Sequence, residues 1–214
     1  RAYVSEHASG AVHDVVDPLI GYGTFYVKVN LGTVPVEADG SAYFLSPSRA
    51  ELYFQALDKD GKELLRMGSV TQLMPGEVQS CVGCHEERRK TVAVTDARAI
   101  AFKRPPSAIA PPSWGAGSVD FVAQVQPVLD KHCVSCHSGA TPKGGIDLSG
   151  DKTCLFNMAY DNLVSRHLVA FTYLTPPNEL TGNFKPLSSG SYISKLTKLI
   201  EDKHGKVDLD DESM

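Results

Sequence analysis

Two pentapeptides, Cys-Val-Gly-Cys-His at 81–85 and Cys-Val-Ser-Cys-His at 133–137, use four of the five cysteines in the chain. C-x-x-C-H is the attachment pattern of c-type haem. Its two thiols form thioethers with the two vinyl groups of one porphyrin, and the adjacent imidazole bonds the iron. Cys81, Cys84 and His85, and again Cys133, Cys136 and His137, are therefore expected to hold two covalently bound haem c groups, with His85 and His137 as proximal iron ligands. Other chemistries match the pattern less closely. A zinc ribbon sets its C-x-x-C pairs about 15–20 residues apart, whereas 48 residues separate Cys84 from Cys133. A thioredoxin-like dithiol needs one such pair in a βαβ setting, and structural disulfides would give the histidines no role. Cys154 is left over and is expected to be a buried free thiol that packs as a small hydrophobe.

The sixth ligand of each iron separates carrier from catalyst. Two strong ligands leave no vacancy, while an open face admits a substrate. Outside the motifs stand His7, His13, His132, His167 and His204, with Met67, Met74, Met158 and Met214. For the second haem His204 is favoured, because a helix-terminal histidine followed by Gly205 can project back over a porphyrin. His167 in "VSRHLVAF" is the alternative ligand or else a hydrogen-bonded core histidine, and Met158 in "LFNMAY" reads as core packing. For the first haem His132 is favoured: if it points away from its own porphyrin it can reach the neighbouring iron, and otherwise it is a solvated residue on the attachment helix. Met74 beside Pro75 is the other contender, since His7 and His13 fall in an N-terminal stretch expected to be loose. Arg88, Arg89 and Lys90 form either a solvated face or partners for haem propionates.

The elements that must position these groups change character along the chain. Residues 1–102 cluster Val, Tyr, Phe and Leu in "TFYVKVNLGTVPVEADGSAYFLS" and "AELYFQAL", with turns at "ADG" (38–40) and "KDG" (59–61). That pattern predicts an antiparallel β-sandwich-like module, with strands covered on both faces. Residues 103–117, "KRPPSAIAPPSWGAG", are rich in proline and glycine and read as a linker. From 118 the spacing turns helical: Phe121, Val125, Val128, Leu129 and His132 recur near helical period, with Ser118 as a possible N-cap. Pro127 must kink that helix or open a second one. "GATPKGGIDLSG" and "TPPNELTGNFKPLSSG" read as loops, and "SYISKLTKLIEDKHG" as a helix with Ile193, Leu196 and Ile200 on one stripe. The fold class is α+β: a β-rich haem module at 1–102, then a helical cytochrome c domain at 118–214.

The balance of the 214 residues, 42% hydrophobic and 21% charged, is that of a globular protein, and a net charge of −4 offers no basic footprint for nucleic acid. No apolar run reaches the roughly 18 residues of a membrane span, so no membrane insertion is expected. The start at Arg1 and the acidic end "DKHGKVDLDDESM" suggest a processed chain or an excised portion of a longer one. There is no nucleotide-binding glycine loop, G-x-S-x-G or H-E-x-x-H. The reading is an electron-transfer protein rather than an enzyme, relaying single electrons between redox partner proteins or other haem subunits. Thioether attachment takes place where its maturation machinery works, which implies a periplasmic or extracellular location.

"LGTVPVEADGSAYFLSPSRAELYFQALDKDGKELLRMGSVTQLMPGEVQSCVGCHE" resembles the middle region of the hydrazine synthase alpha-subunit family. "VQPVLDKHCVSCH", "PKGGIDLSG" and "SKLTKLIEDKHG" resemble the C-terminal cytochrome c domain of the same family. The similarity covers about 31–92 and 119–210. It implies a β-rich module with one c-type haem followed by a helical domain with another, and, as the alternative function, a redox enzyme subunit acting on small nitrogen compounds at the first haem. In the catalytic member the active haem takes a tyrosine ligand shortly after the motif histidine. Here the first tyrosine after His85 is Tyr160, so His85 is expected to act as an ordinary proximal ligand.

Overall fold

A computed structural model describes residues 28–67, 70–83, 98–170, 186–188, 190–210 and 213, and the backbone of 2–7. Cys84, His85, His13, the 88–90 basic run and most of the expected loop at 175–190 lie outside the described residues. The chain divides into two compact units: Arg1–Ser118 with Thr172–Ser188, and Val119–Phe171 with Ser189–Met214. The whole is mixed α and β, with one small antiparallel sheet among the described residues.

The first unit is built on four strands, β1 (Ala2–His7), β2 (Lys28–Val34), β3 (Leu52–Leu57) and β4 (Glu63–Arg66), in the order β2-β1-β3-β4. The stretch expected to be loose thus supplies a central strand: Ala2 pairs with Val34 on one side and with Ala56 on the other. The pairing of β1 with β2 shifts register between Val4 and Ser5, so that Val4 faces Gly32 and Ser5 faces Asn30. β3 and β4 form a hairpin whose turn is closed by Asp58, which accepts from the Asp60 and Lys62 amides at 2.9 and 2.8 Å. Adjacent Leu52 and Tyr53 are both buried, so β3 is covered on both faces, as its unbroken apolar run predicts. Val34, Ala50 and Leu52 form the core, with Phe44, Phe54, Leu73 and Ile109 packed against it.

The proline-rich stretch 103–117, expected as a linker, is bound to this unit along its length. Thr33 and Ala110 exchange backbone hydrogen bonds at 2.9 Å, as do Asn30 and Gly117 at 2.8 and 3.1 Å. Arg104 donates from Nε to Glu37 at 2.7 Å and from Nη1 to Tyr43 O at 3.2 Å and Ser107 Oγ at 2.7 Å. Prolines are tolerated because the pairing is made of isolated bridges, which leave most backbone amides out of any ladder.

Asp39, in the expected 38–40 turn, fastens a second loop. Its carboxylate accepts from the Ile100 amide at 2.8 Å and the Ser41 hydroxyl at 2.6 Å, and these bonds hold its pKa at about 2, below the ordinary 3.8. A carboxylate depressed in this way stabilises the fold above its unfolded pKa and loses that contribution as pH falls toward the folded value. Asp39→Asn is therefore expected to lower the urea midpoint at pH 7. The gap from the parent should close between about pH 4 and pH 2; an equal gap at both ends would contradict the assignment.

The second unit carries α1 (Gln126–His132), α2 (Met158–Ser165) and α3 (Lys195–Glu201). One turn of π-helix, Phe121–Val125, precedes α1, and Pro127 stands in the first turn of α1, so the proline opens a second helix. The cap of the leading turn is Asp120, which accepts from the Ala123 amide at 2.9 Å, in place of the expected Ser118. Leu129, Leu148, Ala159 and Leu163 form the core, against which Val125, Cys133, Ile146, Leu168 and Leu196 pack. Buried Gln126 is satisfied from both sides, donating to Leu148 O at 3.1 Å and accepting from Asn157 at 3.0 Å, while Asn157 caps α2 through the Tyr160 amide at 2.9 Å. The residues leading into α3 are tied down by Ala170 N donating to Ser194 Oγ at 2.7 Å, and α3 itself by Leu196 N donating to Leu168 O at 2.8 Å.

Candidate functional site

The second motif continues α1 as a tight turn. Cys133 N donates to Leu129 O at 2.8 Å, and Cys136 N and His137 N both donate to Cys133 O, at 3.1 and 3.0 Å. Cys133 is half-buried and its thiol pKa is raised by burial; Cys136 is exposed, with Lys143 Nζ at 3.4 Å from its sulfur. The loop 139–150 then folds back along the motif. Lys143 N donates to Cys136 O at 3.0 Å and Leu148 N to His137 O at 2.7 Å. The reversal passes through Gly144 and Gly145, both at φ 64, a conformation that glycine adopts without steric cost.

His137 Nδ1 lies 3.2 Å from Ile146 O. A carbonyl can only accept, so in the neutral ring Nδ1 carries the proton and the Nε2 lone pair is free for a metal. The imidazole of His204 faces this ring, with centroids 6.2 Å apart and planes inclined at 39°. His204 opens a short turn just beyond α3. Lys203 before it is left-handed at φ 51 and Gly205 after it has φ 62, so the chain reverses at this point. Two imidazoles bound on opposite sides of one metal, with bonds of about 2.0–2.1 Å and ring centres about 1.1 Å beyond each nitrogen, have centres roughly 6.3 Å apart. A spacing of 6.2 Å would allow His137 and His204 to hold one iron together, with Cys133 and Cys136 as the thiols of the same motif. Among the described residues no group of three or more His, Cys, Asp or Glu side chains is placed to hold one metal ion.

The other expected residues are spread more widely. Cys81 is exposed in the irregular stretch 77–83, in which Val78 and Val82 are also exposed. Met74 is exposed, and its amide donates to Glu77 at 2.7 Å. His132 ends α1, and its Nε2 is buried without a hydrogen-bond partner among the described residues. His167 is exposed and left-handed at φ 52, so it is not a core histidine; Met158 is half-buried at the start of α2. Cys154 is an exposed free thiol rather than the buried one expected, and it lines a cavity of about 560 Å³ together with Phe121, Gln126, Phe156 and Tyr160. Neither His137 nor His204 lines that cavity. Ile146 O, Lys143, Asn162 and Arg166 belong to the motif's surroundings but carry no mark in the sequence, since tertiary contacts alone bring them there.

Residues 3–86 match the family model of the hydrazine synthase alpha subunit middle domain, a span that includes the first C-x-x-C-H. No curated protein matches the chain. Among solved structures, a chain of Kuenenia stuttgartiensis Hydrazine Synthase is similar in fold, with a TM-score of 0.57 and 17% identity over 91% of this chain. This chain spans 33% of that one, about a third of its length. Residues 3–86 are thus related to the middle domain of the hydrazine synthase alpha subunit, within a fold like that of a section of hydrazine synthase.

Proposed function

We propose that this protein is a dihaem c-type cytochrome, or a dihaem section of a larger one, that relays single electrons outside the cytoplasm. Cys81, Cys84 and His85 would hold one haem c, and Cys133, Cys136, His137 and His204 the other. Each haem, when attached, supplies an iron that changes oxidation state by one electron. The observation that carries the reading is the facing of His137 and His204 at 6.2 Å beside the second pair of thiols. With both imidazoles holding it, the iron would have no open position for a substrate, which suits electron transfer. The chain's own contribution is to hold both rings with little motion, His137 through Ile146 O and His204 through the turn at Lys203–Gly205.

A second reading, a redox enzyme subunit acting on small nitrogen compounds at the first haem, draws on the match over residues 3–86. Carbon monoxide separates the two. Added to the dithionite-reduced protein, it is expected to leave the visible spectrum of the second haem unchanged. Full conversion of both haems to the carbonyl form would refute the relay reading at His204, and conversion of the first haem alone would favour the enzyme.

A further inference from the structure

We propose that Asn162 and Arg166 are positioning residues for the axial imidazole of His137, acting through three successive carbonyls of the returning loop. The proposal rests on the reading that His137 bonds the second haem iron. Ile146 O is the acceptor for His137 Nδ1 at 3.2 Å. The carbonyl before it, Gly145 O, accepts from Arg166 Nη2 at 2.7 Å. The carbonyl after it, Asp147 O, accepts from Asn162 Nδ2 at 2.9 Å. The two donors are themselves joined, Arg166 Nε donating to Asn162 Oδ1 at 3.0 Å, and Asn162 Nδ2 also reaches Met158 O at 3.0 Å on its own helix.

The end of α2 thus grips the loop on either side of the one carbonyl that orients the imidazole. The grip is needed because that carbonyl follows two glycines in the left-handed region, where the backbone has the most freedom to turn. A hydrogen bond from Nδ1 makes the imidazole a stronger donor and fixes its ring plane. A stronger donor favours ferric over ferrous iron, so loosening the acceptor raises the reduction potential.

The test uses the haem-loaded chain and its Arg166→Ala variant. Arg166 is exposed and outside the core, so the variant is expected to fold with full haem content. At a fixed electrode potential the ferrous-to-ferric ratio of the second haem should rise roughly two- to fivefold, equivalent to about 20–40 mV for one electron. The g-values of its low-spin ferric signal should shift with the ring plane. Arg166→Lys, which can still reach one carbonyl but cannot serve Asn162 as well, should recover about half the change in potential. An unchanged potential and unchanged g-values in Arg166→Ala, with both haems present, would overturn the positioning role and leave the relay reading standing. A parent protein whose second haem shows no bis-imidazole signal would overturn that reading, and the positioning role with it.

Discussion

Replacing His204 with alanine is expected to convert the second haem from a six-coordinate, low-spin centre to a five-coordinate or water-ligated, high-spin one. The low-spin ferric signal should fall by about half, because one of two haems is affected, and reduced protein should bind about one further equivalent of carbon monoxide. His204 is exposed and makes no part of either core, so fold and haem content should be kept. Millimolar imidazole should restore the low-spin spectrum by taking the vacated position. Retention of the low-spin spectrum in His204→Ala would show that another side chain supplies the ligand. His167 would be examined next, although its exposed, left-handed position at the end of α2 offers no facing ring among the described residues.

The second large effect is structural and lies at Gly32. A Cβ there would stand 2.0 Å from Ala110 O, 2.6 Å from the Ala110 carbonyl carbon and 2.8 Å from Pro111 Cα, all of them backbone atoms. The residue also has φ +127, beside the point where β1 and β2 shift register. Gly32→Ala must either part β2 from the 107–117 stretch, breaking the Thr33–Ala110 pair of hydrogen bonds, or force the strand out of register. The expected loss is about 3–5 kcal/mol, a large share of the roughly 5–15 kcal/mol that holds a domain together. Gly40→Ala is the internal control. Its φ of +82 carries strain, but a Cβ there meets nothing within 4 Å, so about 1 kcal/mol is expected. Urea unfolding followed by far-ultraviolet circular dichroism distinguishes the two, and equal midpoints for both variants would contradict the steric argument.

The two C-x-x-C-H pentapeptides stand out in the sequence because their pattern is local: two thiols and an imidazole within five residues need no tertiary partner to be noticed. The turns at 38–40 and 59–61 and the helix opened by Pro127 were legible for the same reason, since turn residues and a missing N–H act over one or two positions. The central place of β1 was not. "AYVSEH" has no turn signal or apolar run of its own, and its ladder forms only when β2 and β3, tens of residues away, flank it. The run 103–117 misled in the opposite direction: proline content excludes ladder hydrogen bonding but not isolated bridges, and Thr33, Tyr43 and Asn30 supply these from afar. The nearness of the His204 ring to that of His137 follows from its place before a glycine at a helix end, whereas the contacts of Asn162 and Arg166 leave no trace in the sequence, because their partners are backbone carbonyls 15 and 21 residues distant. Cys154 was expected to be buried on residue type alone, and the loop that carries it is set by Gln126 and Asn157, which the thiol does not influence.

Covalent haem at both motifs is tested most directly by the intact mass of the denatured chain, purified after export through a c-type maturation pathway. The expected value exceeds the polypeptide mass by two porphyrins, ~616 Da each, and falls by one of them in a Cys133→Ala, Cys136→Ala variant. A chain at its bare polypeptide mass, retaining free thiols at all five cysteines, would contradict the assignment outright.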